Sequence, residues 1–181
     1  MWVIENSVPV KFAFLYLFGL LVLERLINTF SSKTPRQKAK KRFQETFFFI
    51  LLAVYLSIVF LSAVSFFLNK ETNLLISLAG AVLLASGILC RRVAIRSLND
   101  CWSPFIEIKE KQRYVRAGIY RYLKHPYYLA VILELAGFSL ICNAFWVLAL
   151  VFLIQIPLLL VRIYFENRIL RIYGKRMGFY P

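Results

Sequence analysis

Apolar positions along this chain gather into long runs, separated by short and strongly basic segments. A helix that crosses the hydrocarbon layer of a bilayer needs roughly 17–25 consecutive apolar residues. The first such run extends from about Val10 to Phe30 and is interrupted by Glu24 and Arg25. The second, about Phe47 to Leu68, and the third, about Leu74 to Cys90, carry no charge. From Tyr127 to Val161 the chain is apolar for 35 residues, with Glu134 the single charge. That is too long for one crossing. The polar pair Cys142-Asn143 near its middle predicts a tight turn between two short helices. The pattern therefore predicts an all-α, polytopic membrane protein with about five transmembrane helices, the last two forming a C-terminal hairpin.

Charge sharpens this count. Twenty of the 23 Lys and Arg residues lie in three segments, at 33–42, 91–124 and 162–176. Five crossings put all three on one side, whereas four would move the last to the other. The excess of Lys and Arg in cytosolic loops then predicts an N-terminus outside and a C-terminus in the cytosol. Residues 1–90 form three N-terminal transmembrane helices, and 91–181 a second unit of connector, hairpin and C-terminal helix. Met1 to Pro9 has no basic stretch and no small-residue cleavage site follows, so the first apolar segment is expected to stay in the protein.

Composition agrees. With 60% hydrophobic residues, a chain of 181 residues has too much apolar surface for a soluble domain, yet its net charge is +14. Nucleic-acid binding would need a basic patch on a folded soluble surface and is not expected. The basic segments are expected to hold anionic membrane lipids instead. Cys90, Cys101 and Cys142 are too few and scattered for a disulfide framework or a zinc site, and read as small apolar fillers. No metal-ligand spacing, phosphate-binding glycine loop or repeat is visible.

Candidate chemistry concentrates where the long connector enters the fourth span. His125 is the single histidine, and Pro126 suits the first turn of a helix. Lys124 and His125 would stand at the cytosolic mouth of that span. A helix N-terminus ringed by basic and aromatic side chains suits an anionic, partly aromatic cofactor. Tyr, Lys and His are equally at home as anchors at headgroup depth. Glu134 lies two turns into the span, where a carboxylate faces protein or a wet cavity. Arg162 and Glu166 are four residues apart and share a helix face, as an intrahelical ion pair or as a site. Glu24 and Arg25 either face the bundle or snorkel to the interface.

These residues also carry a resemblance. The stretch Arg92-Val93-Ala94-Ile95-Arg96-Ser97-Leu98, Trp102, Gly118-Ile119-Tyr120-Arg121-Tyr122-Leu123-Lys124-His125-Pro126-Tyr127-Tyr128-Leu129-Ala130 and Glu134 resembles the isoprenylcysteine carboxyl methyltransferase family. So does the ending Arg162-Ile163-Tyr164-Phe165-Glu166 with Leu170, Tyr173-Gly174 and Tyr180. The resemblance covers about Arg91 to the C-terminus. It implies a methyltransferase core at 91–181 that binds S-adenosyl-L-methionine and takes a lipophilic methyl acceptor from the bilayer. Carried over by position, it implies Gly118, Tyr120, Lys124, His125, Pro126, Tyr128 and Glu134 as the cofactor-binding set, with Arg162 and Glu166 catalytic. Lys124 stands where the family has Arg, Ala130 where Gly is commonest, and Glu166 is the one member left of a Glu pair. The membrane would be a bacterial cytoplasmic membrane, or the endoplasmic reticulum in a eukaryote.

Two acceptor chemistries follow. A carboxylate of isoprenylcysteine type is already ionised and needs alignment by Arg162 rather than a base. An enol or hydroxyl, as on an alkylpyrone-type lipid, needs Glu166 or His125 as base. Rival readings are a phospholipid N-methyltransferase, a sterol-reductase-like enzyme using NADPH, and a scaffold without cofactor. Binding of S-adenosylhomocysteine against NADPH separates them.

Overall fold

A computed structural model of the chain describes residues 45–98 and 118–177, Ser103, strands at 3–5, 39–43 and 106–109, and helical positions between 11 and 27; side chains are described as far as residue 172. Trp102, Cys101, Tyr180 and the basic positions at 33–38 and 111–116 lie outside the described residues.

The elements are β1 (Val3–Glu5), a helical N-terminal segment, β2 (Ala39–Phe43), α1 (Glu45–Leu68), β3 (Glu71–Asn73), α2 (Leu74–Leu98), β4 (Ile106–Lys109), a 3₁₀ turn (Gly118–Arg121), α3 (Pro126–Ile141), α4 (Phe145–Leu150), a π-helical turn (Val151–Gln155) and α5 (Ile156–Met177). The fold is all-α, with two short antiparallel ladders joining loops. Helices Thr46–Leu68, Leu74–Leu98 and Phe145–Ile172 are long and apolar enough to cross a membrane. In lipid each must satisfy its backbone internally, and helices do so.

Local chemistry sets the boundaries. Asn73 caps α2, its Oδ1 accepting from the N–H groups of Leu75 at 3.0 Å and Ile76 at 3.4 Å. Pro126 occupies the first turn of α3, where its missing N–H removes no helical bond. The Cys142-Asn143 turn forms as the polar pair predicts. Asn143 takes φ of 51°, a left-handed conformation that Asn tolerates. Its side chain then ties the hairpin to the start of α2, accepting from Asn73 N at 3.0 Å and donating to Ser77 Oγ at 2.9 Å.

Two expectations need correction. The third apolar helix does not stop at Cys90 but runs to Leu98, because Arg91 is neutralised inside the protein rather than released to solvent. The second hairpin helix is not short either, since α4, the π turn and α5 run on continuously to Met177. Pro157 explains the irregularity between them. It offers no N–H to the preceding turn and its ring crowds the carbonyl four residues back, so the turn widens and the Ile156 N–H bonds Val151 O.

Helices α2 and α3 pack backbone to backbone. A Cβ on Gly137 would lie 2.5 Å from Leu84 N, and one on Gly80 2.6 Å from Gly137 O. Small residues at the crossing are how helices approach closely where lipid competes for apolar contact. Among the loops, β1 pairs with β3 and β2 with β4. The first ladder lies at the end of the bundle that holds the Asn143 turn. The second lies at the opposite end, where α3 begins.

Candidate functional site

Four charged residues meet inside the bundle. Arg91 of α2 is 1% exposed and Glu134 of α3 is 3% exposed. Arg91 Nε donates to Glu134 Oε1 at 2.6 Å, and Arg25 of the N-terminal segment pairs with Oε2 of the same carboxylate. Arg91 also reaches Glu24 at 2.7 Å, and Arg92 closes on the other oxygen of Glu24 at 2.9 Å. The Arg25 guanidinium lies over the Tyr55 ring, 4.6 Å from its centroid. Buried ions are tolerated in such an arrangement because each charge meets an opposite one with hydrogen bonds. Glu24 and Arg25 therefore face the bundle; they do not snorkel.

A second cluster joins α3 to α5. Arg162 Nε donates to the Tyr128 hydroxyl at 2.9 Å, and that hydroxyl donates to Glu166 Oε2 at 2.5 Å. Tyr128 and Arg162 are both buried. Tyr128 thus bridges the two residues that spacing alone would pair along their own helix. The His125 ring lies 5.7 Å from the Tyr128 ring. Tyr120, in the 3₁₀ turn, is half-buried, and burial followed by the charge of Glu166 pushes its phenol above the ordinary tyrosine range. The carboxylate of Glu166 therefore has Tyr120, Tyr128 and Arg162 in its neighbourhood, with His125 beside the Tyr128 ring, at the end of the bundle where α3 starts.

Between these clusters lies a cavity of about 1090 Å³, counting its open mouth. Its wall is largely aliphatic and aromatic, with Leu51, Val59, Phe138 and Leu159 among its residues. Arg25, Arg91, Glu134, Tyr128, Arg162 and Gln155 are among its polar points. An apolar wall with a few polar points suits a small molecule or a lipid chain.

Of the residues singled out from sequence, the structure brings Tyr128, Arg162 and Glu166 into direct contact. Tyr128, Glu134 and Arg162 also border the cavity, while Gly118, Tyr120, Lys124, His125 and Glu166 stand outside its lining. Lys124 is exposed, and Pro126 is buried at the start of α3. Gly118 has φ of 58°, and a Cβ there would lie 2.7 Å from Ser97 Oγ, so glycine lets the turn rest against α2. Both oxygens of Glu134 are engaged by arginines. Sequence reasoning missed Arg91 as a partner of Glu134, because it stands at the head of a run of basic connector residues. It also missed Gln155, a lone uncharged polar residue in an apolar run.

Long apolar helices around a cavity that is greasy at its centre and charged at one end define an integral membrane protein with an internal site. A model of the isoprenylcysteine carboxyl methyltransferase (ICMT) family matches residues 75–172, and the chain belongs to that family of membrane methyltransferases, whose enzymes generally use S-adenosylmethionine. The matched range begins at the head of α2 and includes Arg91, Glu134, Gln155 and the Tyr128–Arg162–Glu166 cluster. It is also similar to the uncharacterized protein YpbQ of Bacillus subtilis (strain 168), with 28% identity over 167 residues, 89% of this chain and 98% of that protein. No solved structure matches it.

Proposed function

We propose that the protein uses S-adenosyl-L-methionine to methylate an oxygen of a lipophilic acceptor, an isoprenylcysteine-type carboxylate or a related lipid. The observation that carries this reading is the Arg162–Tyr128–Glu166 cluster, set where the apolar cavity meets the charged end of the bundle. The cavity takes the acceptor's apolar body from the bilayer, and the cluster meets its oxygen.

The residues at this end fit the cofactor's chemistry. Glu166 offers a carboxylate to a cationic group. His125 and Tyr120 offer flat rings to an adenine. Lys124 and the N-terminal end of α3 offer positive charge to a carboxylate. When bound, the cofactor supplies a methyl group on a positively charged sulfur that leaves as a neutral thioether.

The protein's own task is alignment and charge control. Arg162, held by Tyr128, orients an ionised acceptor oxygen. Where the acceptor is a hydroxyl, its proton passes to Glu166, which already accepts one hydrogen bond from Tyr128 and retains a second oxygen for this purpose. Apolar walls exclude water from the cavity side.

The same reading places the N-terminus outside and this end of the bundle in the cytosol. Pairing of β1 with β3 and of β2 with β4 supports that orientation, as does the basic excess at the α3 end. The decisive experiment supplies methyl-tritiated S-adenosylmethionine and a bacterial lipid extract to the purified protein in detergent. Tritium should enter the organic phase, and S-adenosylhomocysteine should bind and inhibit. NADPH binding with no S-adenosylhomocysteine binding would overturn the proposal.

A further inference from the structure

We infer that the lipid filling the cavity carries a hydroxyl group at mid-bilayer depth, and that Gln155 is the side chain that recognises it. This rests on the reading that the cavity receives the methyl acceptor.

Gln155 is 1% exposed, and its Oε1 has no hydrogen-bond partner. Arg91 Nη1 is in the same condition. Among the described residues these are the two buried side-chain polar atoms left unpaired, and both residues border the cavity. One is an acceptor and the other a donor. A ligand hydroxyl can donate to the Gln155 oxygen. A leucine at 155 would cost nothing in hydrogen bonds, whereas the amide buries an oxygen that no protein donor satisfies.

The helix is shaped to aim this residue inward. Val147, Val151, Gln155 and Leu159 are all buried and recur at every fourth position. In a regular helix such a row drifts by about 40° per step. The π turn Val151–Gln155 holds about one extra residue and takes up the drift, so Gln155 stays on the buried face of Val147 and Val151, and Arg162, seven residues on in regular helix, shares that face. π turns recur at functional sites for this reason.

Depth and distance follow from helix geometry. Gln155 lies ten residues from Phe145, roughly 15 Å along the axis and about half the hydrocarbon thickness. Arg162 is seven residues further, roughly 10 Å towards the cytosol. The inferred acceptor therefore has its reacting oxygen at Arg162 and a hydroxyl roughly 10 Å away along its apolar body. A plain prenyl or acyl chain has no such group and would leave Gln155 unpaired.

Two tritiated probes test this without the cofactor: octadecanoate and 10-hydroxyoctadecanoate. Each places a carboxylate for Arg162, and the second adds a hydroxyl near the required distance. Equilibrium binding to the full-length protein in detergent should favour the hydroxy acid by about tenfold. In Gln155→Leu and Gln155→Met that preference should fall to within about twofold, with octadecanoate binding retained or tightened. Equal binding by the unmodified protein, no binding of either acid, or a preference that survives both substitutions would each overturn the inference. S-adenosylhomocysteine binding, measured on the same samples, reports separately on the methyltransferase reading. Its loss would sink that reading and leave the fatty-acid comparison intact.

Discussion

Tyr128 holds the site together through one oxygen, accepting from Arg162 and donating to Glu166. Removing that oxygen leaves a buried guanidinium short of an acceptor and a carboxylate short of a donor. Tyr128→Phe keeps the ring, and with it the packing against His125. It should reduce methyl transfer by roughly ten- to a hundredfold, as removal of a positioned hydrogen bond does. Thermal denaturation should separate this loss from unfolding. Glu166→Gln and His125→Ala should each reduce transfer by well over about tenfold with the protein still folded, in line with loss of an acid–base or orienting group. Near-normal rates in both would remove the site assignment. The sequence exposed part of this cluster. Arg162 and Glu166 are legible because their spacing of four puts them on one helix face. That Tyr128 links them was not legible, since contact between residues on different helices depends on how α3 and α5 cross.

At the scale of elements, the buried charges and the small residues do separate work. Glu134 joins α3 to α2 through Arg91 and to the N-terminal segment through Arg25. Glu134→Leu alone takes from Arg25 and Arg91 the carboxylate they share, leaving Arg91 with Glu24, and should destabilise by roughly 3–5 kcal/mol. The double variant Glu134→Leu with Arg91→Leu should recover part of this, since no carboxylate or Arg91 charge is left without its partner. A double-mutant cycle in detergent should therefore give a coupling of at least about 1 kcal/mol. Additive losses would mean that the two residues act independently. Gly137→Val tests the crossing itself. Its added atoms would meet the backbone of α2 at 2.5 Å, so the helices must part, with a loss of roughly 1–3 kcal/mol seen as a lower melting temperature. Periodicity and length announced α1, α2 and the hairpin, because a continuous apolar run in lipid has little choice but helix. The ends were harder to see. Arg91 reads as the start of a cytosolic loop until Glu134 is known to face it. The widened turn before Pro157 follows from proline's missing donor, yet one proline in the first turn of a helix is commonly harmless.

For the whole molecule, the proposed function has cofactor and acceptor enter from different phases, and this makes orientation a functional matter. The end with His125, Tyr120 and Glu166 must face the compartment that supplies a water-soluble cofactor. The opposite end, with β1, β3 and Asn143, must face away from it. Helix lengths cannot decide this, because α3 spans only 16 residues, roughly 24 Å, and is short for a full crossing. The basic excess predicts a cytosolic α3 end, and the ladder of β1 with β3 keeps the N-terminal strand with the 71–73 loop at the other end. Lys70, Lys124 and Arg168 are all exposed and sit at known ends of the bundle. Single cysteines at these positions, in a background without the native ones, can be challenged with a membrane-impermeant maleimide. Cysteine at 70 should label in right-side-out vesicles. Cysteines at 124 and 168 should label together, in inverted vesicles only. Labelling of 124 and 168 from opposite sides would place Glu166 away from His125 and leave the cofactor no common pocket. Their agreement would put His125 and Glu166 at one membrane face, as a shared pocket for a soluble methyl donor requires.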